Sequence, residues 1–218
     1  MSRKQARRIS AAILTVALSL ALSGLLEARA EPPAGCSPTP MTLAVIGVKN
    51  EIKDPNWENQ LIGSGISHLV LQALYDTGRY VPIEDNPEIV AEVDRLIGLQ
   101  WAGAAPRYGE ADAARIAADL KTEAVAWARA ISFSTSRRRS SFGGLVGGAR
   151  TTVTVEVEIF VKEKDRPVIS ARGKGKASTD SLGVFFQIRK DKVYFDQTTV
   201  GKATQEAVTA AVKELKFP

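Results

Sequence analysis

Few side chains in this chain of 218 residues could carry out chemistry. There is one histidine, His68, and one cysteine, Cys36, so histidine-based metal binding and Ser-His or Cys-His catalysis would all have to use His68. It stands beside Leu69 and Val70 in a segment of helical periodicity, which favours a helix-surface or packed histidine. Acidic residues are scattered, without a close pair that would mark general acid/base catalysis. We predict no catalytic residue, no metal site and no cofactor, and therefore a protein that is not an enzyme. A remote alternative is an enzyme that uses Cys36 and His68.

Two further motifs could bind anions. Gly63-Ser64-Gly65 precedes a helical pattern, but the full dinucleotide-binding and Walker patterns are absent, and we interpret these glycines as a loop and the start of a helix. Arg137-Arg138-Arg139 could bind anionic lipid or nucleic acid. Three charges at the tip of a hairpin more often form a solvated loop, which is the structure predicted for them.

The first thirty residues have the three parts of a secretory signal peptide. A basic start (Arg3, Lys4, Arg7 and Arg8) is followed by an apolar run over residues 9–26 and by Ala28-Arg29-Ala30, which places cleavage after Ala30. The alternative is a retained membrane anchor, because about 18 apolar residues can just span a bilayer. Ser10, Ser19, Ser23 and Gly24 dilute the run, which favours removal. We therefore predict an exported protein in the periplasm or at the periplasmic face of the outer membrane.

The leader also explains most of the basic charge. The chain has 29 Lys/Arg and 24 Asp/Glu, a net charge of +5. Residues 1–30 contain five basic residues and one acid, a net charge of +4, which leaves +1 for residues 31–218. Nucleic-acid binding thus loses its main compositional support, and we expect no nucleic-acid partner.

Residues 31–40 contain four prolines and predict an extended tether, so the domain comprises residues 41–218. Cys36 lies in this tether, and a single cysteine excludes a disulfide within the chain. The preceding Pro33-Ala34-Gly35 has the small residues of a lipidation motif but a proline where a leucine-like residue is expected. A free thiol is therefore the favoured interpretation, and lipidation of Cys36 the weaker alternative.

The domain begins with alternating predicted strands and helices. A buried strand at residues 42–48 precedes a polar loop and a helix at residues 63–77, for which Gly78 is a suitable C-terminal cap. A short strand follows at residues 80–83. Helices are predicted from Asn86-Pro87-Glu88 onward and at residues 110–120.

The second half changes to strand periodicity. Val125, Trp127, Ile131 and Phe133 alternate with small or polar residues, and a cleaner alternation runs from Val153 to Val161. Its one-sided pattern indicates an antiparallel sheet with one buried and one wet face. Another strand begins near Pro167, and an amphipathic helix at residues 201–215 closes the chain.

These elements, in this order, resemble the CsgG/HfaB family of curli production assembly and transport proteins. The resemblance covers residues 41–215 and rests on the following segments: Leu43-Ala44-Val45-Ile46-Gly47-Val48, Gly63-Ser64-Gly65-Ile66-Ser67, Leu74-Tyr75-Asp76-Thr77-Gly78-Arg79-Tyr80, Val81-Pro82-Ile83-Glu84-Asp85, Glu92, and the helices at residues 113–120 and 203–212. It implies an α/β domain that assembles into rings, with two β-hairpins per subunit that line an outer-membrane channel in the best-known members.

For this chain the resemblance implies an α/β (α+β) fold, a mixed sheet with flanking helices and two extended antiparallel β-hairpin segments, at residues 131–161 and 170–200. In the second segment apolar residues recur at alternate positions, as a lipid-facing strand requires. The side chains predicted for this membrane or ring hairpin are Leu182, Val184, Phe186, Ile188, Val193 and Phe195. Two long hairpins of a soluble periplasmic domain remain the alternative.

The predicted function is therefore that of a non-enzymatic, outer-membrane-associated secretion or assembly component that resembles the curli secretion channel and assists export or assembly of surface fibres. We expect a homo-oligomer, other periplasmic or outer-membrane assembly proteins as partners, and possible membrane contact. The alternative is a soluble periplasmic protein-binding module, similar to activators of cell-wall synthases or to accessory proteins of the flagellar base.

Overall fold

A mixed five-stranded sheet organises the domain. The computed structural model describes residues 39–83, 87–103, 110–139, 149–180, 185–189 and 192–217. The strands are β1 (Met41–Asn50), β2 (Tyr80–Pro82), β3 (Ala124–Arg139), β4 (Ala149–Glu163) and β5 (Ile169–Thr179), in the order β2-β1-β3-β4-β5. Strand β1 is parallel to β2 and β3, whereas β3, β4 and β5 are antiparallel. The predicted fold class, a mixed α/β sheet with flanking helices, is confirmed.

Four α-helices accompany the sheet in the described part of the chain: α1 (Gln60–Tyr75), α2 (Pro87–Trp101), α3 (Glu110–Asp119) and α4 (Thr199–Glu214). A 3₁₀ turn (Pro55–Trp57) precedes α1, and a small separate hairpin pairs β6 (Gln187–Arg189) with β7 (Lys192–Tyr194). Asn59 caps α1 through a hydrogen bond from the Leu61 amide, and Thr198 caps α4 through one from Gly201.

Helices α1, α2 and α4 cover one face of the sheet, here called the main face. Strand β4 contributes five buried side chains to this core, at Val153, Val155, Val157, Ile159 and Val161. The predicted alternation from Val153 to Val161 therefore describes the core correctly. On the opposite face, α3 covers only the region of β1 and the start of β3, where Ala113 packs with Ala44, Ile46 and Val125.

In β3 the small residues, not the large ones, line the main core. Ala124, Ala126, Ala128 and Ala130 face the main core, whereas Val125 and Trp127 lie toward α3. The register shifts between Ala130 and Ser132, and beyond this bulge Phe133 packs against the main core. The sequence pattern that placed Val125, Trp127, Ile131 and Phe133 on one face was wrong because the bulge exchanges the two faces.

Two predicted loops belong to regular elements. Strand β3 continues through Arg137 and Arg138 to Arg139, and it pairs these residues with Thr151, Arg150 and Ala149 of β4. The prediction of a loop was wrong because cross-strand pairing extends the strand past Ser136, but Arg137 and Arg138 are exposed to solvent as predicted.

Gly63 and Gly65 lie inside α1, not in a loop before it. A Cβ on Gly63 would lie 3.0 Å from the Trp101 Cβ, and one on Gly65 would lie 2.5 Å from the Phe195 Cε2. Close packing explains these glycines, and helix entry does not. Gly78 has a φ of +72°, as expected for the residue that ends the turn after α1.

Candidate functional site

The sheet face opposite the main core is polar along the meander of β3, β4 and β5, and we call it the wet face. Its members are assigned by the strand register and by the burial of the alternate positions. They are Arg129, Ser132, Ser134, Ser136 and Arg138 of β3, Arg150, Thr152, Thr154, Glu156 and Glu158 of β4, and Arg172, Lys174, Lys176 and Ser178 of β5. Six of these fourteen residues are basic and two are acidic, which leaves the face positively charged.

Glu158 organises the half of this face nearest to α3. Its carboxylate accepts hydrogen bonds from Arg129 and from Arg172 Nε, the latter at 3.1 Å, and Arg129 also lies 3.7 Å from Glu51. Burial opposes ionisation of Glu158, but the hydrogen bonds from Arg129 and Arg172 outweigh it and lower the pKa of this carboxyl. The carboxylate thus stays charged and ties the three strands together.

A pair of stacked rings lies beside this charged group. Trp127 and Phe160 are nearly parallel, with centroids 5.2 Å apart, and the Arg129 guanidinium lies 5.0 Å from the Phe160 centroid. The cation adds to the stacking. Both rings are half-buried, and the two residues are cross-strand partners on β3 and β4.

The far end of the β3–β4 hairpin is basic and exposed. Arg138 lies directly opposite Arg150 in the register, and no described carboxylate lies within 4 Å of either cation. Like charges at opposed positions destabilise a sheet. Residues Ser134 to Arg138 are exposed in succession, so both faces of β3 leave the packed core here.

Helix α4 lies unusually close to the edge strand β5. A Cβ on Gly173 would lie 2.0 Å from the Ala207 carbonyl oxygen, and one on Gly175 would lie 1.9 Å from the Ala203 carbonyl oxygen. Only glycine permits this approach. The helix consequently packs directly above β5, and its outer flank reaches the edge of the sheet.

A groove of about 380 Å³ lies between this flank and β5. Its lining residues are Lys174 of β5 and Lys202, Gln205, Glu206, Thr209, Ala210 and Lys213 of α4. Glu206 Oε2 accepts a 2.7 Å hydrogen bond from the backbone amide of Lys176. That amide therefore points away from β4 toward the groove.

The single histidine lies on the surface of α1. His68 is exposed and borders two further grooves, one of about 770 Å³ against α2 and β7 and one of about 340 Å³ near β1 and β2. In the larger groove the Ser64 hydroxyl donates to Asp94 at 3.0 Å. Within the described residues, no group of three or more His, Cys, Asp or Glu side chains is placed to hold a metal ion.

Of the residues predicted for a membrane or ring hairpin, two belong to an aromatic cluster. Phe186 contacts Trp57 edge to face at 4.9 Å and Phe195 at 5.6 Å, and Trp57 also packs on Trp101. Nothing in the sequence pattern distinguished these rings from lipid-facing ones.

Of the other predicted residues of this set, Val193 packs against the main core, Ile188 is exposed, and the rest lie outside the described chain. Ile188 is 37% exposed on β6, and Val193 is half-buried on β7. Leu182, Val184, Cys36 and Ala30 fall outside the described residues. No described helix is long and apolar enough to cross a membrane.

Comparisons with known proteins add only distant likenesses. No family model and no curated protein matches the chain. Among solved structures, lipoprotein GNA1162 from Neisseria meningitidis aligns with a TM-score of 0.40 and 15% identity over 65% of this chain and 86% of its own. The hypothetical protein CT253 from Chlamydia trachomatis aligns with a TM-score of 0.35 and 15% identity over 78% of this chain and 91% of its own.

Proposed function

We propose that this chain is an exported, non-enzymatic docking component of a cell-envelope assembly that assists export or assembly of surface fibres. It acts by binding other proteins through the sheet formed by β3, β4 and β5. The observation that carries this proposal is the state of that sheet. In the described part of the chain its basic wet face lacks a covering helix and its outer edge pairs with no further strand, although helices pack on its main face up to the exposed end of the β3–β4 hairpin. Export rests on the predicted signal peptide at residues 1–30.

The same strands support docking better than a passage through the membrane. A membrane strand needs about 9 to 11 residues with an apolar side chain at every second position. Beyond the bulge in β3, the wet-face positions are Ser132, Ser134, Ser136 and Arg138. A lipid-facing surface cannot be built from these side chains at low cost, because an arginine near the bilayer centre costs about 2 to 4 kcal/mol.

The second predicted hairpin supports docking for another reason. Phe186 and Phe195 pack around Trp57, and Phe195 is only 8% exposed. Turning these rings toward lipid would open the main core between α1 and the small β6–β7 hairpin. A protein-binding surface needs no such rearrangement.

Site-specific photocrosslinking in the organism of origin tests the proposal. A photoreactive residue at Ser134, on the wet face, is expected to give an adduct of defined mass with an envelope protein. The matched control is the same residue at Tyr75, which is 49% exposed at the end of α1, away from this sheet. Equal adducts from both positions, or none from Ser134, would refute docking through the wet face. If native mass measurements instead show a ring that forms only in detergent, the alternative function, a channel through the membrane, is favoured.

A further inference from the structure

We infer that the groove between β5 and α4 binds an extended acidic segment of a partner protein, which adds to the sheet as a sixth strand beside β5. This inference rests on the proposed docking function and assigns it a place and a partner chemistry. Three features carry it: a line of outward-facing backbone groups, the overhanging flank of α4, and the charge of the groove.

The backbone groups come from β5, an eleven-residue edge strand. In an antiparallel ladder the residues that point their amides outward are two apart. The Lys176 amide points outward to Glu206, so the amides of Arg172, Lys174 and Ser178 point outward as well. An added strand could pair with the amides of Arg172, Lys174 and Ser178 without disturbing the β4–β5 ladder, and at Lys176 its carbonyl would replace the Glu206 carboxylate.

The overhang follows from Gly173 and Gly175, which have no side chains and so let the backbone of α4 contact the backbone of β5. Lys202, Glu206, Thr209 and Lys213 recur at helical spacing, so they form one stripe along the outer flank. This stripe covers one side of the space that a sixth strand would fill. An added strand would therefore lie in a groove that α4 borders on one side, whereas an uncovered edge strand provides no such second contact surface.

The charge of the groove selects the partner. Lys174, Lys202 and Lys213 line it, and no described carboxylate lies within 4 Å of their ammonium groups. Glu206 is the one acid in the lining, and one of its oxygens already binds the Lys176 amide. Glu206 thus shows that a carboxylate fits against this edge.

Lysines on an edge strand also deter unwanted pairing. That effect disfavours neutral or basic strands. It also disfavours a second copy of β5, because Arg172, Lys174 and Lys176 of that copy would lie beside the lysines that line the groove. The other edge strand, β2, has only three residues. An acidic extended segment is the occupant for which these lysines are attractive and not repulsive.

Fluorescence anisotropy with the purified protein and a labelled nine-residue peptide tests the inference. The peptide alternates glutamate with valine or threonine, and a second peptide carries lysine in place of every glutamate. We expect the acidic peptide alone to bind. Because two cations of the groove are reversed, Lys202→Glu/Lys213→Glu is expected to weaken binding by about tenfold or more. The matched control Lys121→Glu/Lys164→Glu, which reverses two exposed lysines outside the groove, should change it by less than about twofold.

The strand-addition geometry has its own test. Lys174→Pro removes one outward amide, and proline is tolerated at such positions of an edge strand. Relative to Lys174→Gln, which removes only the cation, we expect a further affinity loss of about fivefold with an unchanged circular dichroism spectrum, since one backbone hydrogen bond is worth about 1 kcal/mol. Should this variant fail to fold, hydrogen exchange of the parent protein gives the same answer, because bound peptide should slow exchange at Arg172 and Ser178.

Several outcomes would overturn the inference. Equal binding of the two peptides, unchanged affinity in the lysine variants, or no protection of the outward amides would each do so. Self-association that Lys174→Pro abolishes would assign the edge to a second copy instead. If Ser134 still gives its specific crosslink in those cases, the docking function stands and the β5–α4 groove is not its site.

Discussion

The Tyr80 hydroxyl donates a 2.6 Å hydrogen bond to Glu163, 83 positions later in the chain, and both side chains are buried. Arg79 donates to the same carboxylate through Nε at 2.8 Å and Nη2 at 3.1 Å, and Arg166 does so at 2.8 Å. Glu163 thereby joins β2 to the end of β4 across the sheet. The Arg79 guanidinium also lies 5.2 Å from the Phe217 ring, which brings the chain end into the same cluster.

Replacement of Glu163 should destabilise the domain. Glu163→Gln leaves Arg79 without its anion in a largely buried place, and we expect a loss of about 2 kcal/mol in the free energy of unfolding, measured with urea. Arg166→Gln is the control, because that side chain is 44% exposed and should cost less than about 1 kcal/mol. Equal losses in the two variants would contradict the central role of Glu163.

Acid should remove the contribution of Glu163. Burial opposes its ionisation, but the hydrogen bonds from Arg79 and Tyr80 outweigh burial, so the native pKa lies below the ordinary value. In the unfolded chain the pKa of this carboxyl is about 4.3. A lowered native pKa means that the stabilisation is fully present above this pH and is lost as the pH falls through the native pKa. The stability difference between the parent protein and Glu163→Gln should therefore shrink below about pH 4.3.

Urea titrations between pH 3 and 7 measure this difference. Tyr80→Phe is the matched variant, since it removes a hydrogen bond and keeps the carboxyl, and it should retain most of the acid sensitivity. Parallel pH curves for the parent protein and Glu163→Gln would show that the carboxylate makes no such contribution.

Gly175 sets the distance between α4 and β5. In Gly175→Ala the new methyl group would lie 1.9 Å from the Ala203 carbonyl oxygen and 2.4 Å from the Ala207 amide nitrogen, so the helix must move. We expect a loss of about 2 kcal/mol in the free energy of unfolding. Gly98→Ala in α2 is the control, because its nearest neighbour would be 3.5 Å away and alanine favours a helix. A neutral Gly175→Ala would mean that α4 does not depend on this approach.

The parts of the fold that local pattern determines were predicted from the sequence. The alternation from Val153 to Val161 identified the central strand, because every second residue is apolar and the others are polar. Gly63 and Gly65 were misassigned, because a glycine in a loop and one under an aromatic ring look alike in sequence. The end of β3 was misassigned because pairing with β4, and not strand propensity, keeps Arg137 and Arg138 extended.

The candidate groove could not be found from the sequence in the same way. Lys202 and Lys213 look like the solvated side of an amphipathic helix, and Lys174 looks like an ordinary edge lysine. Only the packing of α4 on β5 brings them together. Gly173 and Gly175 are two residues apart in a strand, and Ala203 and Ala207 are four residues apart in a helix. Small residues at these spacings indicate close packing of a helix on a strand, and this signal could have been recognised in the sequence.

The opposed arginines at the hairpin end are predicted to cost stability. Arg150→Glu places a carboxylate opposite Arg138 and should raise the free energy of unfolding by about 0.5 kcal/mol, with a smaller gain at high salt. The double variant Arg138→Glu/Arg150→Glu restores a like-charged pair and should lose the gain. A thermal or urea melt of the four proteins of this cycle measures the coupling between the two positions. Additive effects would show that the two side chains do not interact.

Phe186 provides the last test, which separates a core role from a membrane role. Its ring packs edge to face on Trp57 and Phe195, so Phe186→Ala should lower the free energy of unfolding by about 2 kcal/mol. Ile188→Ala is the matched control, because Ile188 is 37% exposed and should cost less than about 1 kcal/mol. Urea unfolding of both variants without detergent gives these values. If both side chains instead face lipid, Phe186→Ala and Ile188→Ala should reduce membrane association to a similar degree and leave stability in water nearly unchanged. That result would restore the passage hypothesis, since it would show that the Trp57 cluster is not the environment in which Phe186 acts.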